Sequence, residues 1–208
     1  MSEGIFAHWP NRITGLRFVG SLVLFVLLSL PALQGGLPPR PLLSLAFWLF
    51  LAIAISDFFD GWLARRGNLV SAFGRVADPF VDKIMVVGTM IFLAVMEWSR
   101  AWFPAWMVVI VLAREFLVTG IRGYVESLGL AFPADGFGKL KMVLQCIAIG
   151  VVVGLHSFPW PEILRTFLQW AGHVFVWATL LASLGSGVTY ALKTRRLLLE
   201  TSGRPWSG

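Results

Sequence analysis

The sequence predicts an all-α, polytopic membrane protein with six transmembrane helices. Of its 208 residues, 57% are hydrophobic and only 13% are charged, against about 25% charged in an ordinary soluble domain. The mean hydropathy is +0.78. The apolar residues also come in long blocks instead of periodic stripes, as expected of segments that cross a hydrocarbon layer.

With about 20 apolar residues needed per crossing, the blocks run Leu16–Leu33, Leu42–Arg65, Val81–Trp98, Phe103–Ile121, Leu140–Leu155 and Phe167–Leu192. The first has no small-x-small cleavage site after Leu30 and is long for a secretory signal, so it reads as an uncleaved anchor. The second follows Pro38-Pro39 and carries acids in its last third. The third follows the break at Gly67-Asn68 and ends at Trp98. The fourth holds Arg114 between apolar Met107–Leu112 and Phe116–Val118. The fifth, after Pro133, is short enough for a tilted or partly re-entrant helix, and the sixth follows Pro159-Trp160-Pro161. Trp98, Trp102 and Trp160 sit where interfacial anchors are expected. Nothing remains for a separate soluble domain, so residues 1–208 are expected to form one transmembrane domain.

Lys and Arg in short loops orient such a chain. With six crossings both termini share a side, and Arg40, Arg100 and Arg165 are the only Lys or Arg on the other. Both termini are therefore expected in the cytoplasm. A net charge of +6 spread over membrane loops suits anionic headgroups, and no basic tract points to nucleic acid. The single Cys146 excludes an intramolecular disulfide, and the three histidines make no metal-ligand pattern.

Only 11 acids exist, yet Asp57, Asp60, Asp78 and Asp82 fall close together. Positions 57, 60, 61, 64 and 65 share an arc of about 140° on one helix, and 74, 78 and 82 stack along a second. Two facing helices would then present two carboxylates each. Four ionised carboxylates at bilayer depth cost about 2.5–3.5 kcal/mol apiece, roughly 10–14 together, before repulsion. Two divalent cations would balance them. Hard oxygen ligands without Cys or His favour Mg²⁺ or Mn²⁺ over zinc, and a pair of such ions clamps an in-line displacement at phosphorus. Gly61 and Ala64 clear bulk from the acidic face, either for a nucleotide or for a helix–helix contact. Arg65 either pairs with phosphate or marks the cytoplasmic end of its span.

The run Asp57-x-x-Asp60-Gly61-x-x-Ala64-Arg65, then eight residues, then Gly74-x-x-x-Asp78-x-x-x-Asp82 resembles the motif of the CDP-alcohol phosphotransferase family at every fixed position. The resemblance implies six helices around a cytoplasm-facing polar cavity, a homodimer, and two divalent ions held by Asp57, Asp60, Asp78 and Asp82. It also implies a CDP-lipid pocket at Thr14, Asp57, Asp60, Gly61, Ala64, Arg65 and Gly74, with Asp82 as general base for the acceptor hydroxyl.

Three further stretches resemble bacterial family members that use glycerol 3-phosphate: Pro10-Asn11-Arg12-Ile13-Thr14 with Arg17, Ala113-Arg114-Glu115 with Thr119-Gly120-Ile121-Arg122, and Gly138-Lys139-Leu140-Lys141 with Gln145. In the last, Met142 replaces an expected Thr. A phosphorylated acceptor calls for clustered cations, and Arg114, Arg122, Lys139 and Lys141 are the candidates. Lys139 and Lys141 equally satisfy the positive-inside rule, and Arg114 could instead pair internally with Glu115. The expected reaction is transfer of the phosphatidyl group of CDP-diacylglycerol to glycerol 3-phosphate in a bacterial inner membrane, with release of CMP. Other acceptors (inositol phosphate, serine, phosphatidylglycerol) and a divalent-cation transporter are the rival readings.

Overall fold

The computed structural model describes residues 9–34, 38–67, 72–129 and 136–202, with side chains described except at 9–10, 31–34, 58–67, 72–79, 136–137, 139 and 196–202. Regular structure among them is helical throughout: α1 (Trp9–Gln34), α2 (Arg40–Gly67), α3 (Ala72–Val95), α4 (Ala105–Ser127), α5 (Gly136–Ser157) and α6 (Glu162–Ser202). Each helix contains most or all of one expected apolar block.

Proline and glycine set several boundaries. The Pro39 carbonyl accepts from Leu42 N at 2.9 Å and starts α2, while that of Pro104 accepts from Met107 N at 2.9 Å and starts α4. A proline satisfies a helix start because its missing N–H would have had no intrahelical acceptor there. Gly129, at φ +73, follows the end of α4, a backbone conformation that favours glycine because it has no Cβ. α6 is much longer than its expected span, at 41 residues.

The helices close into a ring. α1 packs on α2 and α3, α2 on α5, α5 on α6, α6 on α4, and α4 on α3, with α3 also touching α5. Two close approaches fix α1. A Cβ on Gly20 would stand 3.1 Å from Ile53 Cδ1 of α2, and one on Gly88 of α3 would stand 2.3 Å from Phe25 Cζ. All six helices contribute to one apolar core, including Leu24, Phe50, Met90, Val111, Ile149 and Val176.

The outer surface carries many large apolar side chains. Val19, Val26, Trp48, Val109, Phe116, Trp170, Val174 and Leu181 are exposed, while Arg17, Arg114, Glu115, Lys141, Gln145 and Ser186 are buried. Water would expel such a surface, whereas lipid accepts it. α1, α2, α5 and α6 are long and apolar enough to cross a membrane, over Asn11–Leu30, Arg40–Asp57, Leu140–Ser157 and Glu162–Arg195. α3 and α4 carry too many charges to meet that description, and those charges build the site.

Candidate active site

Successive helices run in alternating directions, so the N-terminal parts of α1, α3 and α5 lie level with the C-terminal parts of α2, α4 and α6. This register gathers the interior charges at the end of the ring where α1 starts and α6 finishes. α2 brings Asp57 there and α3 brings Asp82.

α1 places Arg17 between them. Its Nη2 donates to Asp57 Oδ1 at 2.6 Å and also to Asp82 Oδ1. Arg17 is only 4% exposed, against 16% for Asp57 and 23% for Asp82. Thr14 lies one turn before Arg17 and is buried, as is Asn11. Asp60 follows Asp57 by one turn of α2, and Asp78 precedes Asp82 by one turn of α3. The side chains of Asp60, Gly61, Ala64, Arg65, Gly74 and Asp78 lie outside the described residues, with their backbones in α2 and α3.

Two carboxylates from different helices thus converge on one cationic nitrogen. No cluster of three or more His, Cys, Asp or Glu with metal-binding geometry occurs among the described residues. The donors that do converge are hard oxygens around a positive charge, which fits Mg²⁺ or Mn²⁺. Asp60 and Asp78, one turn along the same helices, are the residues that would extend this set.

A second polar cluster centres on Glu115. Its Oε1 accepts from Arg114 Nη1 at 2.8 Å and from Lys141 Nζ. Arg114 also donates through Nη2 to Ser186 Oγ of α6, and its guanidinium lies 5.9 Å from the centre of the Tyr190 ring. Gly187 leaves room for this arginine, since a Cβ there would stand 3.2 Å from Arg114 Cγ. Lys83, next to Asp82 on α3, donates to Thr119 Oγ1 of α4, and Thr119 donates in turn to the Glu115 carbonyl at 2.7 Å. α3 therefore touches both clusters through adjacent residues.

Of the four cations expected to hold the acceptor phosphate, the structure brings Arg114 and Lys141 together around Glu115. In this arrangement Glu115 meets their charge from within the protein. Arg122 is 46% exposed and faces Glu126 at 3.7 Å, and the Lys139 side chain lies outside the described residues. The buried Nε atoms of Arg17 and Arg114, Nε2 of Gln145 and the hydroxyls of Thr179 and Ser183 find no hydrogen-bond acceptor or donor in the described chain. Buried polar atoms are otherwise paired almost without exception, so these atoms mark an interior suited to water or a polar ligand.

Sequence reasoning gave no site role to Arg17, Lys83, Glu115 or Ser186. Arg17 carried a usable signal, because a lone cation within an apolar helix normally has an internal anionic partner. By sequence Lys83 reads only as one of the Lys and Arg residues on the cytoplasmic side.

Comparison with known proteins agrees with this architecture. A sequence model described as CDP-alcohol phosphatidyltransferase matches residues 7–183. The chain is similar to a CDP-diacylglycerol–glycerol-3-phosphate 3-phosphatidyltransferase of Bacillus subtilis (strain 168), 32% identical over 189 residues, or 88% of this chain and 93% of that one. It is similar to a protein of the same name from Rickettsia typhi, 30% identical over 87% of this chain and 93% of the other. A probable phosphatidylglycerophosphate synthase of Mycobacterium tuberculosis is 32% identical over 91% of this chain and 83% of its own. With a family model covering most of its length and three such relatives, the chain belongs to the CDP-alcohol phosphatidyltransferase family.

Proposed function

We propose that this protein transfers the phosphatidyl group of CDP-diacylglycerol to glycerol 3-phosphate, forming phosphatidylglycerophosphate and CMP. The observation that carries this reading is the convergence of Asp57 and Asp82 inside a lipid-facing helix ring, beside a second cluster rich in cations. The relatives named above carry that activity in their names.

Asp82 takes the proton from the primary hydroxyl of the acceptor, and the freed oxygen attacks the lipid-side phosphorus. A single displacement needs no protein nucleophile. Asp57, Asp60, Asp78 and Asp82 would hold two Mg²⁺ or Mn²⁺ ions, which when bound spread the diphosphate charge and stabilise the leaving group. Thr14, Gly61, Ala64, Arg65 and Gly74 line the CDP side of the site with Asp57 and Asp60. Arg114, Arg122, Lys139 and Lys141 serve the acceptor phosphate. Around Glu115, Arg114 and Lys141 contact one carboxylate, and a third cation, Lys83, is joined to the cluster through Thr119. Their surplus of about two positive charges matches a phosphate that carries about two negative ones.

The Lys and Arg distribution supports a bacterial inner-membrane protein with six crossings and both termini in the cytoplasm, and the family resemblance supports a homodimer. Purified protein given CDP-diacylglycerol with glycerol 3-phosphate, inositol phosphate, serine or phosphatidylglycerol tests the reading. Release of CMP with phosphatidylglycerophosphate as the preferred product is expected. Preference for another acceptor would overturn the substrate assignment and leave the family membership intact.

A further inference from the structure

We propose that Arg17 is a built-in counter-ion of the carboxylate site, holding Asp57 and Asp82 together in the metal-free protein and giving way when a divalent cation enters. The inference rests on the metal reading of the motif aspartates above.

The geometry is specific. A guanidinium usually grips one carboxylate with two parallel N–H bonds. Here a single nitrogen, Nη2, serves Oδ1 of Asp57 and Oδ1 of Asp82, which lie on different helices. The positive charge therefore sits where the two carboxylates converge, the same place a bridging divalent cation would need. Without it, two carboxylates close together in a poorly solvated interior would repel.

Arg17 cannot make room by losing its charge, because arginine stays protonated in proteins. It has to move. The backbone of α1 is pinned near this point by Gly20 against Ile53 and by Phe25 against Gly88, so the movement belongs to the side chain. Its attachment is also incomplete, since Nε is buried without a hydrogen-bond acceptor in the described chain. Metal entry thus exchanges one cation for another, and the exchange lowers the affinity that the bare carboxylates would have. Arg17 is a positioning residue in this scheme and acts through Asp57 and Asp82.

The test measures Mn²⁺ binding to the detergent-purified full chain by electron paramagnetic resonance, together with melting temperature with and without Mn²⁺. Wild type should bind Mn²⁺. Arg17→Gln should bind it about 10-fold or more tightly, the size expected when one charged hydrogen-bonding competitor is removed. Metal-free Arg17→Gln should melt below wild type, and saturating Mn²⁺ should narrow the gap. Arg17→Lys keeps the competing charge and should stay within about threefold of wild type.

Equal or weaker Mn²⁺ binding by Arg17→Gln, with wild type binding normally, would overturn the counter-ion role and leave the metal reading standing. A Lys variant as tight as the Gln variant would also overturn it. No Mn²⁺ binding by wild type would overturn both readings together. If metal-free Arg17→Gln does not survive purification, it is prepared in Mn²⁺ and the metal is withdrawn with EDTA, reading release. A Gln variant that fails to fold even in Mn²⁺ would overturn the proposal, because the loaded site should no longer need Arg17.

Discussion

Lys141, near the start of α5, and Glu115, at the middle of α4, form a buried ion pair between helices that α6 separates in the ring. The pair ties the ring across its interior at the level of the site. Glu115 also holds Arg114, so one carboxylate organises two buried cations.

Glu115→Ala should therefore be severely destabilising. It would leave Arg114 and Lys141 buried without their common anion, and breaking a buried ion pair from one side costs about 3–5 kcal/mol. Thermal unfolding in detergent measures this. A variant that melts with wild type would show that the cluster is not a structural tie.

Gly88→Ala tests the seat of α1. The added Cβ would stand 2.3 Å from Phe25 Cζ, and the Phe25 ring is already stacked on Phe92 at 5.3 Å. Overpacking of this kind costs about 1–3 kcal/mol. Gly150→Ala, where a Cβ meets nothing within 4 Å, is the matched control and should be neutral or slightly stabilising. Restoration of stability by Phe25→Leu in the Gly88→Ala background would locate the clash.

Asp82→Asn keeps the shape of the side chain but removes its ability to accept a proton. Loss of a general base lowers kcat by about 10²–10⁴-fold. Near-normal turnover with normal metal dependence would exclude Asp82 as the base.

Chelation should abolish activity, and Mg²⁺ or Mn²⁺ should restore it, because the converging donors are carboxylate oxygens. Asp57→Ala should weaken Mn²⁺ binding and turnover together. Full activity in EDTA would remove the divalent ions from the mechanism.

Arg114→Ala should raise KM for glycerol 3-phosphate by about 10- to 150-fold, the range of one hydrogen bond to a charged group. KM for CDP-diacylglycerol should change little. Arg114→Lys should recover part of the loss, because an ammonium keeps the charge without the fork. Equal rises in both KM values, or a fall in stability with KM unchanged, would assign Arg114 to the Glu115 and Ser186 contacts alone.

The helices were legible because bilayer thickness imposes a length on every apolar block, and proline and glycine mark the ends. The helical stacking of positions 74, 78 and 82 and the apolar block from Val81 fall on one helix, α3, which starts at Ala72. Where expectation fell short, charge was the reason. Arg114 was legible as a residue in need of a partner, with Glu115 as one choice, but its contacts with Ser186 and Tyr190 of α6 were not. Arg17 passed as part of an N-terminal stretch because its two carboxylates lie 40 and 65 positions away, on helices whose adjacency no local pattern announces.

By itself, the sequence determined a six-helix membrane bundle with four acids at the spacing of two helix faces. Those properties depend on hydropathy and helical periodicity, which act within one segment. Only the tertiary structure decided the ring order α1–α2–α5–α6–α4–α3, and with it which charges meet. Close approach at Gly20 and Gly88 places α1 against both α2 and α3, so Arg17 reaches Asp57 and Asp82. Burial then forces each interior cation to find an anion within reach of its side chain, a condition set by distance in space and not by distance along the chain.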